Sequence, residues 1–259
     1  MKIAVISDIH SNLGELSRAL NGIMRECESI ICLGDIVGYG YNPSRCIELC
    51  RDNAYMDCLL GNHDAAVAGK MPLDWFSQTA AEGIVRDGAK ISAEQKEWLA
   101  RLPHMIKREY HQSLCEERTY KVCYAHGSYI APSQFDYIHG LYEADDNLEA
   151  MEKDGIRLLF VGHTHEARAY VRDAAVRVRG LPSIGEVEVK KYNQVIVNVG
   201  SLGYPRVEMD SRYAVFDTGK MTVSFRSIPF KYSEYCDNMS QNGINLPSWL
   251  AGRMDELGN

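Results

Sequence analysis

The sequence predicts an α/β fold in which a second, later sheet packs on a first one. Three observations predict it. The first 60 residues run strand–helix–strand–helix–strand, the order of an α/β layer. Each of those strands ends directly in polar residues, and in open α/β sheets sites collect at the carboxyl ends of strands. From residue 166 onward the pattern changes to short strands joined by turns, with hairpin-like pairs around 167–171/176–179 and 213–218/221–227.

Residues 2–7 (KIAVIS) form a continuous apolar run, the mark of a strand buried on both faces, and Asp8-Ile9-His10 follows at once. Asn12 and Glu15 have the spacing of a capping box, and Leu13, Leu16, Leu20 and Ile23 put one apolar stripe on a helix of about 12–14 residues. The second strand, 29–33, ends in Gly34-Asp35. A glycine-rich loop (37–41) leads to Asn42-Pro43, a cap followed by proline at the first helical position, and that helix should run to about Arg51. A third strand, Tyr55 to Leu60, delivers Gly61-Asn62-His63-Asp64, read as a loop. Residues 65–110 lack strand character and look helical, with Ser92 and Gln95 able to cap a helix through Leu102 before Pro103.

Strand character returns at Tyr120–Ala125, ending in His126-Gly127-Ser128. A helix from about Asp145 to Lys153 stops at Gly155, and the strand Arg157 to Val161 ends in Gly162-His163-Thr164-His165. Val195–Val199 forms a further strand before the turn that carries Tyr204, Pro205 and Arg206. No linker-like composition divides the chain. Residues 1–259 are expected to be a single domain, with a helical insertion at about 65–110 and a C-terminal flap at about 231–259 containing Tyr232, Tyr235, Pro247, Trp249 and Leu250.

Apolar residues make up 46% and charged residues 24%, an ordinary globular composition, and no apolar run is long enough to cross a bilayer. Met1–Asp8 meets an acid too early for a signal peptide, so the default location is cytoplasmic. A net charge of −7 argues against a stable nucleic-acid partner held by the overall field. Bound metal ions can still draw an anionic substrate. The eight cysteines (27, 32, 46, 50, 58, 115, 123 and 236) include no Cys-x-x-Cys pair and read as reduced and structural, not as a zinc-thiolate site. Arg168, Arg172, Arg177 and Arg179 alternate with apolar residues and read as a solvated sheet face.

The strand ends collect Asp8, His10, Asp35, Asn62, His63, His126, His163 and His165, at one edge of one inferred sheet. Five of the eight histidines are in this set. Carboxylate, imidazole and an amide oxygen suit Mn²⁺, Fe²⁺ or Zn²⁺. Seven ligands are too many for one tetrahedral ion and point to two divalent ions about 3.5–4 Å apart, with Asp35 the natural bridge.

Asp8-x-His10, Gly34-Asp35, Gly61-Asn62-His63-Asp64, His126 after a strand, and Gly162-His163-x-His165 together resemble the signature of calcineurin-like metallophosphoesterases. The resemblance runs from residue 1 to about 220 and is nearest to the small prokaryotic phosphodiesterase-type branch. Two departures, Asn42 for Asp and Val199 for Pro, touch no ligand. The resemblance implies two mixed β-sheets packed as a sandwich with helices on the outer faces. It implies one metal on Asp8, His10, Asp35 and His165, and another on Asp35, Asn62, His126 and His163. His63 would contact the phosphate and act as general acid, with an imidazole pKa near neutral. Asp64 would either orient that imidazole or cap the turn.

The expected function is a dinuclear-metal-dependent phosphoesterase, hydrolysing phosphodiester or nucleotide-type substrates through a metal-bridging hydroxide, with Asn62 and His63 binding substrate. Arg206 is open between phosphate binding and plain solvation, and Tyr39 between stacking on a base and packing, with packing favoured. Alternatives are a diadenosine polyphosphate hydrolase, a protein phosphatase, or a scaffold that shares the fold without catalysis. The protein phosphatases of the fold carry arginines near these motifs, where this chain has only Arg45, and the scaffolds lose ligands that this chain keeps. A homo-oligomer stays open.

Overall fold

A computed structural model of the protein describes residues 1–111, 119–246 and 250. Pro247 and Trp249 of the expected flap, and Cys115, lie outside the described residues. Two mixed six-stranded sheets pack face to face. The first holds β1 (Lys2–Ile6), β2 (Ser29–Cys32), β3 (Met56–Cys58), β9 (Glu186–Glu188), β11 (Ser211–Asp217) and β12 (Thr222–Ile228), in the order β3-β2-β1-β11-β12-β9. The second holds β4 (Met105–His111), β5 (Thr119–Ala125), β6 (Ile156–Val161), β7 (Arg168–Arg172), β8 (Val178–Leu181) and β10 (Gln194–Asn198), in the order β4-β5-β6-β10-β7-β8. β1, β2 and β3 run parallel, as do β5, β6 and β10, while the other pairings are antiparallel.

Alternation explains why β1 reads as a continuous apolar run. Ile3 and Val5 join the core between the sheets, with Tyr124, Phe160, Val195 and Phe216. Ala4 and Ile6 face the other way, onto Leu16, Ala19 and Ile23 of α1 (Leu13–Glu26) and Ile47 of α2 (Pro43–Arg51). Across the sandwich, Leu159 and Val161 of β6 pack outward on Ala144, Leu148 and Met151 of the helix Leu141–Lys153. Helices therefore cover both outer faces.

Asn12 caps α1 by accepting from the Glu15 amide at 3.2 Å, but the capping box is not closed. The buried Glu15 carboxylate instead accepts from Ser211 Oγ (3.1 Å) and the Lys231 amide (3.0 Å), tying α1 to the second half of the chain. Asn62-His63-Asp64 is not a loop. It opens the short helix α3 (Asn62–Val67), followed by α4 (Gln78–Lys90) and α5 (Ala93–Ala100). The helical reading of 65–110 fails at its end, where β4 forms an edge strand paired with β5. Its alternation is weak because both faces are partly open. The helix Leu141–Lys153, α6, begins four residues before the expected Asp145, and the tail contributes α7 (Tyr232–Gln241).

Arg172 corrects the solvated-face reading. It is 4% exposed and reaches under α6 to Asp145 and Glu152. The seven described cysteines are free thiols. Cys32 and Cys58 are register partners on β2 and β3, and with Cys50 of α2 their sulfurs lie within 4.8 Å of one another, a proximity their sequence spacing did not show. Among the described residues, no helix is long and apolar enough to cross a membrane.

Candidate metal centre

All eight side chains collected from the strand ends are at most 7% exposed and lie together. They come from both sheets, which corrects the single-sheet edge expected from sequence. Asp8, His10, Asp35, Asn62 and His63 follow strands of the first sheet, whereas His126, His163 and His165 follow β5 and β6 of the second. Apolar periodicity marks strands but does not say which sheet each joins.

The backbone is strained where the chemistry collects. Asp8, His10, Asp35, His163 and His165 adopt left-handed φ values of 55°, 48°, 53°, 68° and 62°. For non-glycine residues each costs of order 1–3 kcal/mol and persists only where the surroundings enforce it. Here hydrogen bonds do so: His10 and Ser11 amides donate to Asp35 and Ile36 carbonyls (both 2.9 Å), and the His163 amide donates to Asp8 Oδ2 (3.0 Å).

Three backbone carbonyls set the imidazoles. His10 Nδ1 lies 3.1 Å from Val37 O, His126 Nδ1 3.2 Å from Leu33 O, and His165 Nδ1 2.6 Å from Tyr204 O. A carbonyl only accepts, so each Nδ1 carries a proton, and in the neutral rings of His10 and His165 each Nε2 turns a lone pair inward. His10 Nε2 and His165 Nε2 then face each other at 3.0 Å, and Asp8 Oδ1, buried without a hydrogen-bond partner, is 3.3 Å from His165 Nε2. Electron-rich atoms this close in a dry site need a cation among them. The donor set therefore fits a metal.

A second group adjoins the first. His126 Nε2 is 3.2 Å from Asn62 Oδ1, 3.2 Å from His163 Nδ1 and 3.4 Å from Asp35 Oδ2. Asp35 Oδ2 is also 3.7 Å from His10 Nε2, so one carboxylate borders both groups. Burial pulls His10, His163 and His165 well below the ordinary imidazole range, keeping them neutral donors. Burial also pushes the Asp8 carboxyl up to about 6. His126 is driven down by burial, but the carboxylates, Asp35 foremost, outweigh this and hold it up at about 9.

His63 stands beside these groups. Its amide donates to Asp35 Oδ1 (2.9 Å), and its ring sits 4.8 Å from those of His10 and Tyr39. Gly38, at φ +109°, makes room, because a Cβ there would overlap His63 Nδ1. Burial pushes the imidazole down to about 4, correcting the near-neutral expectation. Asp64 takes the capping role. Its carboxylate accepts from the Gly61 and Val37 amides, both at 3.1 Å, and not from the ring.

Gly61 lets α3 start against Asp35, since a Cβ there would overlap Asp35 Oδ1 and its amide. Gly61→Ala is expected to cost about 1–3 kcal/mol by overpacking and to lower metal content by displacing Asp35. Denaturant unfolding with metal analysis checks this, and a variant with wild-type stability and metal content would refute the close-approach reading.

A cavity of about 240 Å³ opens above the cluster, lined by Asp35, Asn62, His63, His163, His165 and the exposed Arg206. Tyr39 packs, stacking on Tyr204 at 4.3 Å. Sequence reasoning missed the supports. Asp87 of α4, fully buried, accepts from Ser11 Oγ (2.5 Å) and the Gly38 amide (2.8 Å), and Arg86 donates to the Tyr39 and Gly40 carbonyls (2.9 and 2.8 Å). α4 thus clamps the loop whose Val37 carbonyl orients His10. Asn198 Nδ2 likewise donates to Gly162 O (2.7 Å) and Thr164 Oγ1 (2.9 Å), bracing the turn that carries His163. No motif marks Asp87, because it sits in a helix far from any strand end.

The sequence profile of the calcineurin-like phosphoesterase superfamily domain matches residues 1–221. The chain is 32% identical over 256 residues to protein MJ0912 of Methanocaldococcus jannaschii, covering 97% of this chain and 96% of that one. A crystal structure of a metallophosphoesterase from Sphaerobacter thermophilus aligns with a TM-score of 0.77 at 30% identity, covering 98% of both chains. That of the hypothetical protein PH1004 from Pyrococcus horikoshii OT3 shares the fold, with a TM-score of 0.74 at 18% identity over 96% of this chain and 95% of that one. Motifs, two-sheet architecture and relatives agree: the chain belongs to the calcineurin-like phosphoesterase superfamily.

Proposed function

We propose that the protein is a dinuclear-metal-dependent phosphoesterase acting on small phosphodiester or nucleotide-type substrates. One observation carries the proposal: two groups of inward-facing donors meet at the single carboxylate of Asp35. Asp8, His10 and His165 with Asp35 would hold one ion, and Asn62, His126 and His163 with Asp35 the other. Mn²⁺, Fe²⁺ and Zn²⁺ all suit these ligands. When bound, such a pair supplies Lewis acidity and an activated water near neutral pH.

The chain's own residues do the rest. Asn62 and Arg206 neutralise charge on phosphoryl oxygens. His63 gives a proton to the departing oxygen. Burial holds its imidazole neutral, and the anionic phosphate favours imidazolium, so the ring takes up that proton from solvent as the substrate binds. Arg45 pairs with Glu48 on the surface and does not line the cavity, which counts against the protein phosphatase reading. The retained ligands count against a non-catalytic scaffold.

Metal analysis and turnover of an aryl phosphodiester, an aryl phosphomonoester and diadenosine tetraphosphate test the proposal. Bound metal and fastest turnover of the diester are expected. No metal and no turnover with added Mn²⁺ would sink it, and preference for diadenosine tetraphosphate would move the function to the polyphosphate hydrolases.

A further inference from the structure

We infer that the cavity over the cluster takes a planar aromatic group of the substrate, a nucleobase or an aryl ring, against the indole of Trp75. This inference rests on the phosphoester reading for where the phosphate lies.

Trp75 ends a single 3₁₀ turn, Leu73–Trp75, and is 62% exposed. It lines the same cavity as Asp35, Asn62 and His63. The next residue, Phe76, turns inward and meets the His63 ring edge-on at 5.3 Å and 80°, anchoring the turn beside that histidine. The other rings of the lining are already engaged. Tyr39 stacks on Tyr204, and Tyr137 lies parallel to His163 (3.8 Å, 12°) and to His139 (4.8 Å, 14°). Among the described residues the Trp75 indole has no ring partner, so its face is open to a ligand.

The lining is therefore divided by chemistry. The Asn62 amide, the His63 ring and the Arg206 guanidinium, beside the ions that the cluster would hold, take the phosphate, while Trp75 offers a π-face at the mouth. Stacking on an aromatic side chain is sequence-tolerant and typically contributes about 1–3 kcal/mol per base. An aliphatic substituent of the same charge gains none of this. Trp75 would thus set specificity for the organic part of the substrate and leave the phosphate to the cluster.

Binding of AMP, phenyl phosphate and methyl phosphate to the Mn²⁺-loaded protein, by calorimetry, tests this without turnover. Wild type is expected to bind the two aromatic ligands more tightly than methyl phosphate. Trp75→Ala should weaken the aromatic ligands about tenfold, equivalent to about 1.4 kcal/mol, and leave methyl phosphate unchanged. Trp75→Phe should recover most of the loss. A loss confined to AMP identifies the ring as a nucleobase, and a loss for both aromatic ligands admits aryl esters. Equal binding of all three ligands by wild type, or equal weakening of all three by Trp75→Ala, overturns the inference and leaves the indole as a patch for some other partner. Because the readout is binding, absence of hydrolysis would sink the proposed function while Trp75-dependent ring binding still stood.

Discussion

His63→Ala is expected to lower turnover by about 10²–10⁴-fold, the usual contribution of a positioned general acid, while both metals stay bound. The geometry makes this a sharp test. His63 Nδ1 is buried without a hydrogen-bond partner, and its amide, not its ring, holds Asp35. Removing the imidazole leaves that backbone bond and the donors around His126 and His10 in place. A ring nitrogen of His63 also lies within 4.8 Å of donor atoms of His10 and Asp35, close enough for a ligand role. Metal content separates the two: loss of an ion from His63→Ala would make the residue a ligand and remove it as the acid. The leaving group offers a second check. Esters with good leaving groups need little protonation, so the variant should be least impaired on a nitrophenyl ester and most impaired on an alkyl one. Equal impairment on both would count against proton donation.

The residues that cluster at the candidate site were legible in the sequence because strand ends are legible. An apolar run such as 2–6 or 156–161 followed at once by Asp or His is a local pattern, and five such ends add up without knowing how the strands meet. The α1 and α2 caps at Asn12 and Asn42 were local too, and both hold. What failed was non-local. That β5 and β6 belong to a different sheet from β1–β3 depends on pairing, which periodicity does not encode. The carbonyls of Val37, Leu33 and Tyr204 that orient three imidazoles carry no side-chain signal at all. Asp87 reads as an ordinary helical acid until α4 is folded against Ser11 and Gly38. Nor did any motif announce the left-handed backbone at five donors, although Asp and His tolerate that region better than most residues.

Asp35→Asn should be the most damaging change to the proposed metal site, because Asp35, alone among the described residues, borders both donor groups. Its Oδ2 is 3.4 Å from His126 Nε2 and 3.7 Å from His10 Nε2, while Oδ1 accepts from the His63 amide. Asparagine keeps nearly the same shape and can still accept from His63, so the fold should survive. The charge is lost. Changes to residues that merely support a ligand typically cost 10–100-fold in metal affinity or activity, about the least to be expected here. Metal content should fall in both halves and turnover should drop to background. Asn62→Ala should by contrast impair only the half that includes His126 and His163. In the metal-free protein the same substitution has a second signature. Burial works to lower the His126 pKa, and Asp35 is the main influence holding it up at about 9. With the carboxylate neutralised, the His126 pKa must fall, and an NMR titration of the imidazole reads that shift without any metal or substrate. Two retained ions in Asp35→Asn would end the bridging assignment. An unmoved His126 pKa would show that the Asp35–His126 ion pair is not what holds this half of the cluster together.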